Sequence, residues 1–265
     1  MQATPPAAEK HRTVSAARRV LVVGRGSEAM HEEVRAHGFE VVANPADADF
    51  VLSYGGDGSL LGADRDYPNL PKLPLRRDSQ YIKCPRHTKD AVLERVFAGN
   101  QAVSLLTRIS AEARGRKILA INDIVFHNAR AVSAVRYRLI IDGLPYSGEV
   151  VGDGVVLATP FGSSAYYRSI TNSIFRVGIG LAFNNSTEAT NHLVLAESSV
   201  VEIHVTRGPA IVVGDNIEDP LPVEAGDVIR VSFTSQRAMI WELETLLCKE
   251  CLESDTRRPA GWRHV

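Results

Sequence analysis

The chain has only three cysteines in 265 residues, too few for a disulfide framework. Cys248 and Cys251 stand at Cys-x-x-Cys spacing on an expected C-terminal helix. No second cysteine pair accompanies them, and a lone pair falls short of the four ligands of a structural zinc site. No metal site is therefore expected, and Cys84 reads as an ordinary buried thiol. His127, His192 and His204 have no partner at metal-ligand spacing and read as core or surface residues. Long apolar runs are also missing, which excludes a membrane-spanning helix. A net charge of −1 gives no global pull toward nucleic acid or an anionic membrane. Residues 1–17 are rich in alanine, proline and charge but lack the apolar core of an export signal. They are expected to be a disordered lead-in, and the cytoplasm is the expected compartment.

What is present fits a globular protein with a real core: 45% hydrophobic and 23% charged residues, enough for one large domain or two small ones. Residues 19–24 read as a strong first strand, 28–37 as a helix stopped by Gly38, and 39–42 and 50–54 as two more strands. A further helix is expected over 90–98, closed by Gly99-Asn100. Strands alternating with helices and ending at glycines indicate a parallel, helix-covered sheet. From residue 102 the character changes to short β-branched runs at 117–122, 136–141, 154–159, 200–206, 210–214 and 227–233. Asp142-Gly143 is a hairpin signal between two strands. The expected organisation is an α/β domain over 18–101 plus 239–265 and an all-β domain over 102–238, a sandwich or a more layered β-structure.

The most informative segment runs from Phe50 to Leu61. An apolar strand stops at Gly55-Gly56-Asp57-Gly58, and Ser59 then opens an expected helix. The glycines permit positive φ and close approach of a ligand to the backbone, and the helix start offers N–H groups suited to phosphate. A carboxylate among such groups is out of place unless it handles a proton or a metal ion, which points to phosphoryl transfer onto a hydroxyl. Taken alone, the motif serves a capping turn equally well.

Two further segments follow. Ala120-Ile121-Asn122-Asp123-Ile124-Val125 ends a strand in an amide–carboxylate pair suited to a diol, although Asn-Asp is also a common turn pair. Gly152-Asp153-Gly154 leads a strand into Thr159-Pro160-Phe161-Gly162-Ser163-Ser164-Ala165-Tyr166. Together and in this order the three segments resemble the NAD kinase family, whose members carry Gly-Gly-Asp-Gly, then Asn-Glu, then Asp-Gly…Thr-Pro-Thr-Gly-Ser-Thr-Ala-Tyr. The resemblance extends from about residue 47 to about residue 241. The glycine loop alone is shared with diacylglycerol, sphingosine and phosphofructokinase relatives.

The resemblance implies the two-domain fold of the NAD kinase-like and diacylglycerol kinase-like superfamily. It also implies transfer of a phosphoryl group from ATP, with Mg²⁺, to the 2′-hydroxyl of the adenosine ribose of NAD. Asp57 takes the catalytic role. Gly55, Gly56 and Gly58 face the donor phosphates, and Asn122 and Asp123 the ribose hydroxyls. Asp153 faces the nicotinamide side, and Ser163, Ser164, Ala165 and Tyr166 the adenine and ribose. A homodimer or homotetramer is implied as well. This chain departs from the family at four places: Asp123 replaces glutamate, Phe161 replaces a small hydroxyl residue, Thr171-Asn172-Ser173 replaces glycines, and Leu73-Pro74-Leu75-Arg76-Arg77-Asp78-Ser79 replaces a strand ending in Gly-Ile-Asn and a glycine turn. Arg76 and Arg77 are open to two readings, phosphate ligands or a solvated surface pair. An inactive NAD(P)-binding protein and a kinase of another hydroxylated substrate are the competing functions.

Overall fold

The computed structural model describes residues 17–77, 84–146 and 148–248. The expected lead-in up to residue 16 and Cys251 lie outside them. The N-terminal half is a parallel sheet of β1 (Arg19–Val23), β2 (Glu40–Val41), β3 (Phe50–Tyr54) and β4 (Lys72–Leu75), in spatial order β4-β3-β1-β2. Helices α1 (His31–Ala36), α2 (Asp57–Asp66) and α3 (Lys89–Phe97) connect and cover it. The first expected helix is split, because Ser27–Met30 forms a tighter 3-10 turn before α1. Val92, Leu93 and Val96 of α3 recur at helical spacing and pack on Val20, Phe50, Leu52 and Leu73, as an amphipathic helix requires. Thr88 caps that helix by accepting the N–H of Ala91 at 3.3 Å. Its end is closed by Gly99, at φ +73°, and the Asn100 N–H donates to the Arg95 carbonyl at 2.9 Å, a left-handed glycine stop.

The remainder is β-rich: β5 (Val103–Ala113), β6 (Arg116–Ala120), β7 (Asp123–Asn128), β8 (Val135–Ile141), β9 (Leu144–Pro145), β10 (Val150–Gly152), β11 (Gly154–Ala158), β12 (Ile179–Asn184), β13 (His192–Leu195), β14 (Val200–Arg207), β15 (Ala210–Gly214), β16 (Leu221–Val223) and β17 (Val228–Trp241). Two short helices, α4 (Tyr166–Thr171) and α5 (Glu244–Leu247), complete the described elements. One antiparallel sheet runs β13-β12-β11-β7-β15-β16, and the other contains β10-β8-β14-β17 with β5 and β6. The two pack face to face across a core that includes Phe126, Tyr137, Leu157, Ile203 and Val231. The Asp142-Gly143 hairpin forms as expected, with φ of +52° and +79° and Ile141 paired to Leu144.

β17 departs most from the sequence reading. Instead of ending near residue 233, it continues to Trp241 through a register shift between Phe233 and Arg237. The polar run Thr234-Ser235-Gln236 breaks the alternation that marks a strand, and the strand absorbs it as a bulge. Beyond the bulge, Ile240 pairs in parallel with Lys72 of β4, and Trp241 packs 5.0 Å from Phe50. The two halves therefore share one continuous sheet, and the C-terminal segment returns to the N-terminal half.

A buried charge cluster ties α2 to β4 and β5. Lys72 Nζ and Arg108 Nη2 each lie 2.6 Å from Asp64 Oδ1, and Arg108 Nε donates to Asp64 Oδ2 at 3.1 Å. Lys72 is fully buried, and Arg108 and Asp64 are 3% and 5% exposed. Burial pushes the pKa of Lys72 down, against the opposing pull of Asp64.

Candidate functional site

β3, buried along its whole length, delivers the chain to Gly55-Gly56-Asp57-Gly58. The three glycines have different physical reasons. Gly55 has φ +152°, and a Cβ there would run into the Ser59 side chain, so it shapes the turn. Nothing lies within 4 Å of a Cβ placed on Gly56 or Gly58; these two leave the approach to the helix open. The helix begins at Asp57 rather than Ser59, with Gly56 as its N-cap. Asp57 is thus an exposed side chain on the first turn, beside the free N–H groups of a helix start.

The Asn122 turn is locked from two sides. The Asp215 carboxylate accepts the N–H groups of Ile121, Asn122 and Asp123 at 2.9, 2.8 and 3.3 Å. Thr159 Oγ1 donates to the Ile121 carbonyl at 2.6 Å and accepts the Gly162 N–H at 3.1 Å. A Cβ on Gly162 would collide with the Asn122 backbone, so this glycine lets the Thr159-to-Tyr166 turn press against the Asn122 strand end. Asp215 is not among the residues singled out from the sequence. Its signal was an aspartate directly after a strand-ending glycine, a position suited to receiving backbone donors.

These elements enclose a cavity of about 410 Å³. Alternate residues of neighbouring strands form its floor: Asp123, Val125 and His127 from β7, then Ile211 and Val213 from β15 with Asp215 beyond its end. Asn122, Ala165, Tyr166 and Leu61 complete the lining. The Tyr166 hydroxyl accepts from Asn184 Nδ2 at 3.0 Å, which fixes a ring that remains 36% exposed. Leu61 is one helical turn beyond Asp57, so both occupy the same face of α2. A cross-link holds that helix to the cavity: Asn216 Nδ2 donates to the Gly58 carbonyl at 2.9 Å, and Arg65 Nη1 to the Asn216 carbonyl at 3.1 Å.

The site holds one buried carboxyl, Asp123, and one half-buried one, Asp215. Burial, reinforced by the charge of Asp215, pushes Asp123 up to about 7. Burial pushes Asp215 up to about 6, against the pull of its three N–H donors. Those donors favour the ionised form of Asp215, and Asp123, which has no such donors to its carboxylate among the described residues, is held higher. Both folded values exceed the ordinary carboxylate value, so the folded state binds more protons than the unfolded chain between about pH 4 and 7. Stability must therefore fall as pH rises through that window. Asp123→Asn, which mimics the protonated group, is expected to remove on the order of 2–4 kcal/mol of that fall. Urea unfolding of both proteins at pH 5 and pH 8 measures it; an equal loss in the variant would rule out Asp123 as its source.

Other expected site residues have different surroundings. Asp153 lies outside the cavity lining; its carboxylate accepts from Asn128 Nδ2 and Asn185 Nδ2, both at 3.0 Å. Ser163 is buried and its hydroxyl faces the carbonyls of Pro160 and Phe175 at 2.7 and 3.1 Å, a use internal to the turn. Ser164 is exposed. Phe161 packs into an apolar seam with Leu60, Leu61, Ile121 and Ile240, which accounts for an aromatic in place of a hydroxyl. Asn172 adopts φ +53° at the end of α4, a left-handed conformation that asparagine tolerates in place of glycine. Arg76 donates to the carbonyls of Leu246 and Thr245 at 3.0 and 3.4 Å, clasping the end of α5. Arg77 is exposed and reaches the Arg25 carbonyl at 3.4 Å. The two arginines therefore serve different neighbours. Asp78 and Ser79 lie outside the described residues.

Residues 121–243 match the family described as the ATP-NAD kinase C-terminal domain. The chain is 31% identical over 138 residues to the NAD kinase of Caulobacter vibrioides, covering 50% of this chain and 53% of that protein. It is 33% identical over 133 residues to the NAD kinase of Brucella suis, covering 48% and 51%. With the NAD kinase of Alcanivorax borkumensis it shares 31% over 172 residues, covering 60% and 57%. The chain thus spans about half the length of the curated relatives it matches. Among solved structures, yeast NADH kinase complexed with NADH aligns with a TM-score of 0.72 at 20% identity, over 86% of this chain and 83% of that one. The Archaeoglobus fulgidus NAD kinase in complex with ATP aligns with a TM-score of 0.71 at 18% identity, over 89% and 99%. At these identities the structural likeness is one of fold, and it agrees with the α/β-plus-β class expected from the sequence.

Proposed function

We infer that this chain, a member of the NAD kinase family through its C-terminal domain at residues 121–243, phosphorylates the 2′-hydroxyl of the adenosine ribose of NAD, using MgATP as donor and giving NADP. The observation that carries the reading is the convergence at one cavity. Asn122, Asp123 and Tyr166 line it, and α2 brings Leu61 to its wall with Asp57 one turn above.

In this reading the apolar floor and the Tyr166 ring receive the adenine, since a base presents a flat face to an aromatic ring. Asn122 and Asp123 hold the ribose hydroxyls. The protonated form of Asp123, which burial favours, donates one hydrogen bond to the diol where an ionised carboxylate only accepts. Asp57, outside the cavity lining but one helical turn from Leu61, is in this reading the group that orients the 2′-hydroxyl and takes its proton late in transfer. The clear approach over Gly56 and Gly58 accommodates donor phosphates at the helix start. Asp153, Ser163, Ser164 and Ala165 support the acceptor side from the surrounding turns. We assign the donor half to residues 18–101 with the segment from 239 on, and the acceptor half to 102–238.

A homo-oligomer in the cytoplasm is the proposed setting. Among the described residues no helix is long and apolar enough to cross a membrane. The direct test incubates the purified chain with NAD, ATP and Mg²⁺ and measures NADP by an NADP-specific dehydrogenase. Binding of NAD without any NADP would replace this reading with a non-catalytic NAD-binding one.

Asn122→Ala is expected to raise the NAD requirement more than the ATP requirement, because its proposed partners are on the acceptor. A lost hydrogen bond of roughly 1–1.5 kcal/mol corresponds to about tenfold. Apparent KM values for both substrates measure it, and equal shifts would assign Asn122 to general support of the cleft.

A further inference from the structure

We propose that Cys84, His87 and Cys248 form a zinc site. Each contributes one ligand atom, and these atoms lie within 4.8 Å of one another. Two of the chain's three cysteines are therefore brought together across most of its length, beside His87.

The local structure explains the grouping. Cys84 precedes the 3-10 turn Pro85–His87, and the His87 N–H donates to the Cys84 carbonyl at 3.0 Å. Residues three apart around such a turn project on the same side, so Cys-x-x-His forms a ready pair of ligands. Cys248 arrives from the other end of the chain, immediately after α5, whose last carbonyls Arg76 clasps. Cys84 and His87 are 3% and 5% exposed, and neither Cys84 nor Cys248 is in a disulfide.

The donor set selects the metal. Two sulfurs and an imidazole are soft and borderline ligands, suited to zinc and unsuited to magnesium or calcium, which require oxygen. In a tetrahedral zinc site, ligand atoms at 2.0–2.3 Å from the metal stand about 3.5 Å apart. The observed cluster reaches that by closing roughly 1 Å. Binding replaces two thiol protons by one Zn²⁺, with the protons released to solvent, so two thiolates and a neutral imidazole give an uncharged complex fit for a buried position.

The site is separate from the nucleotide cavity, with which it shares no lining residue. Its role is to staple the lead into α3 to the C-terminal segment.

The test uses the full chain, expressed with added zinc and purified without chelator, its metal content measured by mass spectrometry. About one zinc per chain is expected, falling at least fivefold in Cys84→Ser and in Cys248→Ser. Because either variant could misfold, the wild-type chain is also loaded with cobalt(II). Thiolate-to-cobalt charge-transfer absorption and tetrahedral d–d bands, both lost on adding zinc, are the expected signature. A zinc-free wild type, a cobalt spectrum without thiolate charge transfer, or full metal retention in Cys84→Ser would overturn the proposal.

Discussion

Asp57→Asn is expected to lower NADP formation by about two to four orders of magnitude, the range for removing a positioned general base. The substitution keeps the side chain's shape and its capacity to hydrogen-bond, so NAD affinity should stay within a few-fold of the parent. Asp57 is exposed on the first turn of α2, and exposed substitutions away from special contacts shift stability by about 0.5 kcal/mol or less. Turnover, NAD binding by calorimetry and the unfolding midpoint of one variant therefore separate the roles. Turnover near that of the parent would leave Asp57 as a helix-start residue only. A large fall in the unfolding midpoint would make it structural.

Asp64→Ala is expected to cost about 3–5 kcal/mol, because it strands Lys72 and Arg108 in the interior without their carboxylate. Lys72→Met is expected to behave oppositely. It leaves Asp64 with Arg108 alone, a two-pronged pair at 2.6 and 3.1 Å, and removes a fully buried ammonium whose charged form burial already disfavours. Its cost should be within about 1 kcal/mol, or stability should rise. Urea unfolding of both variants measures the contrast. An Asp64→Ala cost below about 1 kcal/mol would show that water or neighbouring groups compensate the two cations. Asp64 lies on the helix that begins at Asp57, so the same variant should also loosen the wall formed by Leu61.

The parts of the site readable in the sequence are those encoded locally. Gly55-Gly56-Asp57-Gly58 and Thr159 to Tyr166 announce tight turns at strand ends, because small residues at those positions have few other uses. β3 and β11 read as strands because both are buried apolar runs bounded by glycine. What escaped depends on distant pairing. Asp215 matters because its carboxylate meets N–H groups some 92–94 residues earlier in the chain, and no window of sequence contains both. The same holds for Asp64 with Lys72 and Arg108, and for Cys84 and His87 with Cys248. Cys84 reads in the sequence as an ordinary buried thiol, and it is buried; its nearness to Cys248 is invisible there because the two stand far apart in the chain. Phe161 reads in the sequence only as a replacement of a small hydroxyl residue. Its ring instead fills the seam between α2 and β17, a surface that exists only once the halves are joined.

β17 has a consequence for the order in which the protein can be made. The N-terminal sheet is complete only when Ile240 reaches Lys72 and Trp241 settles against Phe50, and Thr245 then donates to the Pro74 carbonyl 171 residues behind it. A ribosome releasing this chain from its N-terminus exposes β4 long before its partner has been synthesised. Until then that strand presents an open edge and an apolar face to the cell, the condition under which nascent chains aggregate or recruit chaperones. Truncation short of residue 240 should therefore harm the first half of the protein as much as the last.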